Sequence, residues 1–196
     1  MQKLSDILEE VWTALTIGST TSRDPFHTPT VATVRHGKPV SRTVVLRFVD
    51  PALSVLGFNT DLRSAKCQDL ENNPAIAWHF YGRGRKVQLR IRGTASIHSD
   101  DDVARAAWDE VTPLGRRCYG QSPGPGTPTE RAGIALPDLA DLESDDPSVL
   151  ALCRSNFGTV RCTVEEIEWL HLRFQGHQRA LFNRADSAWT GRWVAP

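Results

Sequence analysis

Apolar residues recur every three or four positions at the start of the chain: Leu4, Ile7, Leu8, Val11, Trp12 and Leu15. That spacing lays one stripe along a helix, so the pattern predicts an N-terminal helix over residues 1–17, with Ser5 as its N-cap. A turn-rich run from Gly18 to Pro29 follows, after which the period becomes that of strands. Extended segments are predicted at 30–34, 40–49, 53–58, 75–80 and 87–97, with His36-Gly37-Lys38-Pro39, Asp50-Pro51 and Tyr81-Gly82-Arg83-Gly84 as turns between them. Connections this short join antiparallel neighbours, so the strands are expected to form a meander.

Two helices are predicted among the strands. One spans about 62–71 and stops at Asn72-Asn73-Pro74. The other spans about 100–110 and opens on Ser99 and Asp102, spaced as a capping box. From Gly120 to Pro147 the composition turns to Gly, Pro, Ser and Asp, which predicts a long surface connection. Strands return at 158–163, 166–173 and 188–194. Many short strands and few helices predict a mainly β (α+β) chain, folded as one closed or nearly closed antiparallel barrel with peripheral helices.

At 196 residues and 40% apolar composition the chain can bury a core, which excludes wholesale disorder. Lys and Arg number 23 against 23 Asp and Glu, so no global field recruits nucleic acid or an anionic membrane, and any anion site must arise from a local cluster. No apolar stretch approaches the ~20 residues that cross a bilayer, and Cys67, Cys118, Cys153 and Cys162 include no CxxC pair. A soluble, cytoplasmic protein with reduced thiols and no metal site is expected.

Three segments carry candidate chemistry. In the expected strand 40–49, Arg42 shares a face with Val40, Val44, Leu46 and Phe48. A guanidinium among apolar neighbours calls for a carboxylate or a bound anion. Next, Phe58-Asn59-Thr60-Asp61-Leu62-Arg63-Ser64-Ala65-Lys66 puts a strand end, a turn and a helix start within nine residues. Helix-start N–H groups with Ser64 and Lys66 suit a phosphate, unless Asp61 simply caps the helix and the two cations are solvated. In 87–92, Val87, Leu89 and Ile91 alternate with Gln88, Arg90 and Arg92, and the Gln88 amide offers both a donor and an acceptor to a heterocycle. Later, Gln121-Ser122 opens the Gly/Pro-rich connection, and Trp169, His177 and Arg179 form a Trp-x7-His-x-Arg spacing.

Taken in order, these segments resemble the pyridoxamine 5'-phosphate oxidase-related, FMN-binding split-barrel family. The likeness rests on Arg42-Thr43-Val44-Val45-Leu46-Arg47, Thr60-Asp61-Leu62-Arg63-Ser64-Ala65-Lys66 and Ile167-Glu168-Trp169-Leu170, and it runs from about Val31 to the final Trp193-Val194-Ala195-Pro196. The resemblance implies a split-barrel homodimer with FMN at the subunit interface, the C-terminal strands 158–196 completing barrel and dimer site. It implies that Arg42, Ser64 and Lys66 hold the flavin phosphate. Thr43, Val44 and Val45 would lay strand backbone beside the ring system, with Asn59, Thr60 and Gln88 also touching the flavin. Gln121, Ser122, Trp169 and Arg179 would come from the second subunit, while Arg47 and His177 orient substrate. The expected activity is FMN-dependent oxidoreduction of a small molecule. Oxidation of pyridoxine or pyridoxamine 5'-phosphate, and non-catalytic binding of flavin, haem or a deazaflavin, stand as alternatives.

The chain also departs from the pattern. Gln175 occupies the place of the Arg in the substrate-binding Arg-x-His pair, and Arg47 replaces a Lys. Ala65 replaces a phosphate-binding Arg that neighbouring Arg63 can offset. In 104–119 only Arg116 and Arg117 are available to replace a substrate-phosphate set.

Overall fold

The structure is a computed structural model that describes residues 3–138, 140 and 147–196. The opening stripe forms α1 (Leu4–Thr20), which buries Ile7, Val11, Trp12, Leu15 and Gly18. Lys3, not Ser5, stands at its N-cap and makes no side-chain cap; Ser5 Oγ instead donates to Asp6. Nine strands form one antiparallel sheet: β1 (Thr30–Arg35), β2 (Lys38–Thr43), β3 (Phe48–Asp50), β4 (Val55–Asp61), β5 (Ala75–Gly82), β6 (Val87–His98), β7 (Phe157–His171), β8 (Gln178–Ala185) and β9 (Ala188–Val194). The order is β2-β1-β5-β6-β7-β4-β3, with β8 on β7 and β9 on β8. The ladder does not close.

The expected continuous strand at 40–49 is broken. Residues 44–47 leave the ladder between β2 and β3, at opposite ends of the sheet path. The Val44 and Leu46 amides donate to the Pro29 and His27 carbonyls, and the Arg47 amide donates to Gly57 on β4. One apolar run thus serves two sheet ends, which alternation alone does not reveal. Two further expected strands, 158–163 and 166–173, are one strand of 15 residues, β7. β8 was not foreseen.

By packing, the chain divides into two compact units. The first contains the chain up to Phe58, Asn73–Ser96 and Arg161–Pro196. Its core is aromatic: Trp78 stacks on Phe80 at 6.0 Å, with Phe58 and Phe26 set edge-on at 5.6 and 5.4 Å. Cys162 lies fully buried here, and burial pushes its thiol up to about 12.

The second unit contains Asn59–Asn72 and Ile97–Val160. It holds α2 (Ala65–Asn72), α3 (Asp102–Asp109), α4 (Pro113–Arg116), a 3-10 turn at Arg117–Gly120 and an unforeseen α5 (Pro147–Asn156). Asp101, rather than the expected Ser99, caps α3 by accepting from the Ala104 amide at 2.9 Å. Trp108, Cys153 and Phe157 form its centre, with Tyr119 edge-on to Phe157 at 5.0 Å. Of the expected connection 120–147, residues 139 and 141–146 lie outside the described residues; Ser122 and Ala135 form an antiparallel bridge across the part before them.

Gly93 sits where β6 passes closest to β7. A Cβ there would lie 2.0 Å from the Thr163 carbonyl oxygen, a backbone atom that cannot swing aside. Gly93→Ala should therefore cost about 1–3 kcal/mol or more in urea unfolding. Gly84→Ala, with nothing within 4 Å of the new methyl, should change stability by less than about 1 kcal/mol.

Candidate functional site

In the second unit β4 ends and α2 begins within six residues, and the turn between them sorts its charges. The Asp61 carboxylate accepts from the Arg63 amide at 2.9 Å and from its Nε and Nη2 at 3.0 and 2.6 Å. Arg63 also donates to the carbonyls of Gln121 and Tyr119, at 3.1 and 3.3 Å. Asp61 and Arg63 thus form a structural clamp, and the guanidinium expected to offset the Arg missing at Ala65 is engaged in the turn. Lys66 is oriented differently. Its Nζ donates to Thr60 Oγ1 at 3.1 Å and Ser64 Oγ at 2.9 Å, with the two hydroxyls 3.2 Å apart. Thr60 and Ser64 are buried and Lys66 is half-buried.

The Lys66 ammonium and the first-turn N–H groups of α2 are donor types a phosphate monoester requires, while the Ser64 and Thr60 hydroxyls donate to the Asp61 carbonyl at 2.6 and 3.3 Å and would have to turn to reach a ligand. One residue before Thr60 on β4, Asn59 Oδ1 is buried and has no hydrogen-bond partner among the described residues. A buried acceptor left open costs about 1–3 kcal/mol, so its vacancy points to a donor brought by a ligand. The donor set and the orphaned acceptor fit a phosphorylated heterocycle. Gln121 is half-buried and Ser122 exposed in the same unit.

The remaining predicted residues belong to the first unit. Arg42 is half-buried opposite Val31, and its Nη1 donates to Thr33 Oγ1 at 2.8 Å. Thr43 ends β2, whereas Val44 and Val45 lie in the irregular segment after it, so only Thr43 supplies the expected strand backbone. Arg47 is exposed. Gln88 is half-buried in register with Tyr81. His177 is exposed, and its Nδ1 accepts from the Arg173 amide at 3.2 Å across the β7–β8 turn. Trp169 is buried.

One buried charged residue that contacts the predicted Arg179 was not among the predicted site residues. Glu168 on β7, 8% exposed, accepts from Arg90 Nε on β6 at 2.9 Å and from Arg179 Nη2 on β8 at 2.7 Å. Burial pushes this carboxyl up, but the bonds and charges of the two arginines outweigh burial and hold it below the usual carboxylate range. The pairing spans 78 residues in one direction and 11 in the other. The sole signal was a Glu next to Trp169 in an otherwise buried stretch.

Arg116 and Arg117, the expected substitutes for a substrate-phosphate set, are engaged in the fold. The Arg116 guanidinium lies 4.8 Å from the Trp108 ring and donates to the Trp108 carbonyl, while Arg117 Nε donates to the Pro137 carbonyl at 2.6 Å. Among the described residues, no group of three His, Cys, Asp or Glu could hold a metal, and no helix is long and apolar enough to cross a membrane.

An antiparallel sheet that stays unclosed, with a phosphate-type donor cluster at a strand-to-helix turn, defines the FMN-binding split-barrel class. The FMN-binding domain of pyridoxamine 5'-phosphate oxidase matches residues 9–99. A pyridoxine/pyridoxamine 5'-phosphate oxidase of Caulobacter vibrioides is 31% identical over 182 residues, covering 85% of this chain and 74% of its own. One from Pseudoalteromonas atlantica is 30% identical over 172 residues, covering 85% and 78%. A solved pyridoxamine 5'-phosphate oxidase-related, FMN binding protein of Nostoc punctiforme superposes with a TM-score of 0.77 at 25% identity over 100% of both chains. PhzG of Burkholderia lata, solved with tetrahydrophenazine-1-carboxylic acid, shares the fold with a TM-score of 0.67 at 18% identity, over 98% of this chain and 92% of its own. The chain belongs to the pyridoxamine 5'-phosphate oxidase family, and FMN is the cofactor of its matched domain.

Removing the clamp should loosen one specific segment. Arg63→Ala is expected to lose about 1–2 kcal/mol and to speed amide exchange at residues 119–121, because Asp61 is 9% exposed and loses its counter-ion. Arg105→Ala, whose Asp102 partner is 98% exposed, should leave the urea midpoint unchanged. The depressed Glu168 carboxyl stabilises the fold above the ordinary carboxylate pKa, and that stabilisation disappears as pH falls through the depressed folded value. The urea midpoint should therefore drop more steeply below about pH 4.5 in the parent than in Glu168→Gln.

Proposed function

We propose that the protein is an FMN-dependent oxidoreductase acting on a small molecule, and that it works as a homodimer with each cofactor shared by two subunits. The observation that carries this reading is the Thr60, Ser64 and Lys66 cluster at the head of α2. In it Ser64 and Lys66, with Arg42, hold the flavin phosphate. Thr43, Val44, Val45, Asn59, Thr60 and Gln88 border the ring system. Gln121, Ser122, Trp169 and Arg179 reach the cofactor from the second subunit. When bound, FMN supplies the two-electron chemistry; the chain supplies binding, orientation and exclusion of water.

Arg47 and His177 are the residues we assign to orienting the substrate. Both are exposed, and with His177 Nδ1 accepting from the Arg173 amide the neutral ring carries its N–H at Nε2. Gln175 and the structural engagement of Arg116 and Arg117 argue against a substrate gripped by its phosphate as in the vitamin B6 oxidases. Loss of one charge-assisted bidentate contact lowers affinity by roughly ten- to a hundredfold.

The test is direct. The purified protein should shift the visible spectrum of added FMN, and its bound flavin should bleach anaerobically with a small-molecule reductant. Absence of any spectral change on adding FMN refutes the reading. Arg42→Ala and Lys66→Met should each weaken FMN by at least about tenfold while changing riboflavin affinity less than about threefold, since the lost contact is to phosphate. Equal losses for both ligands would make these residues structural. Sedimentation should give a dimer; a monomer that retains FMN would refute shared sites.

A further inference from the structure

Three strands bring three charges together on one face of the sheet in the first unit. Arg90 on β6 and Arg179 on β8 lie on either side of β7, and both donate to Glu168. Arg90 Nε and Nη2 reach Oε1, with a further contact from Nη2 to Oε2, while Arg179 Nη2 reaches Oε2 at 2.7 Å. The three side chains border a cavity of about 520 Å³ that also touches Thr30, His79 and Trp78. Glu168 is almost fully enclosed, whereas 30% of the Arg179 side chain remains open.

The orientation of Arg179 depends on this carboxylate. Its Nη1 approaches the Ala195 carbonyl only at 3.4 Å, and its Nε is buried without a partner among the described residues. Among the described residues, the charge-assisted bond to Glu168 at 2.7 Å is the strongest restraint on this long, rotamer-rich side chain. Arg90, bound to the other oxygen through two nitrogens, in turn fixes the carboxylate. Two guanidiniums against one carboxylate leave this corner with a net positive charge.

We infer that Glu168 is a positioning residue: anchored by Arg90, it aims the Arg179 guanidinium at the cofactor. This rests on the proposed role of Arg179 in FMN binding. Without the carboxylate, two neighbouring guanidiniums repel each other and Arg179 samples rotamers that miss the ligand.

A double-mutant cycle on the full-length protein tests this, read by quenching of FMN fluorescence on titration. Glu168→Gln keeps the side-chain size and should weaken FMN about 5- to 30-fold, with the dimer retained. In an Arg179→Ala background the same change should alter FMN affinity less than twofold, because the group through which Glu168 acts is gone. Arg90→Gln frees one side of the carboxylate but leaves its bond to Arg179, so it should weaken FMN, though less than Glu168→Gln does. If Glu168→Gln does not fold, Glu168→Asp replaces it in the cycle, with the same pattern expected. Unchanged affinity in the single Glu168 variant, equal losses in both backgrounds, or an Arg90 variant as weak as Arg179→Ala would each overturn the inference. A parent protein that binds no FMN refutes the proposed function itself, an outcome distinct from all of these.

Discussion

Residues 44–47 have to satisfy their backbone at two places in one sheet. β2 lies at one end of the strand order and β3 at the other, yet only four residues separate them. Five peptide steps reach at most about 17–18 Å, so the two ends must curl towards each other. Accumulated strand twist provides the curl. The amides of Val44, Leu46 and Arg47 then find the carbonyls of Pro29, His27 and Gly57 in place of a ladder partner, and buried Val44 and Leu46 anchor the crossing in the core. Closure is therefore covalent rather than hydrogen-bonded. Arg42 lies two residues before this crossing and Arg47 ends it.

A second constraint operates at the turn after β4. Asp61, Arg63 and Lys66 all stand within reach of one another in sequence, and either cation would serve as partner for the carboxylate. The planar fork of Arg63 takes both Asp61 oxygens and still has donors for the carbonyls of Tyr119 and Gln121, which a point-charge ammonium does not match. Lys66 turns to the hydroxyls of Thr60 and Ser64 instead. The difference between guanidinium and ammonium thus decides which cation builds the turn and which is set among phosphate-type donors.

What could be read in the chain follows from what is local. The stripe of α1 and the alternation of Ile76, Trp78 and Phe80, or of Leu89 and Ile91, announce their elements because one face is buried and the other is not. β8 was invisible because the face of buried Ala180 and Phe182 continues into Arg184, while the other face sets Leu181 between Arg179 and Asn183, leaving little contrast. Helix α5 follows the Gly/Pro-rich connection, whose composition masks the helix start. The break at 44–47 was hidden because Val-Val-Leu reads as strand wherever it lies; only the sheet order shows that two partners compete for it. Of the site, Ser64, Lys66 and Thr60 were legible because four to six residues of one turn hold them. The pairing of Glu168 with Arg90 was not, since no local rule joins positions 78 residues apart.

Equal numbers of acids and bases appear at first to deny this chain an anion site. The pairing shows how neutrality and local positive charge coexist. Asp24 is matched by Arg85, Asp61 by Arg63, Glu166 by Arg92 and Asp102 by Arg105, each largely one to one. Glu168 departs from that rule by serving two arginines. Such unequal sharing creates a fixed positive excess without adding any net charge to the molecule, and burial of the shared carboxylate reduces the screening that would weaken it at the surface. A cationic corner made this way is stiffer than one made by adding a lysine. Its charges are already restrained by the fold, so an anion placed there would meet a smaller ordering cost.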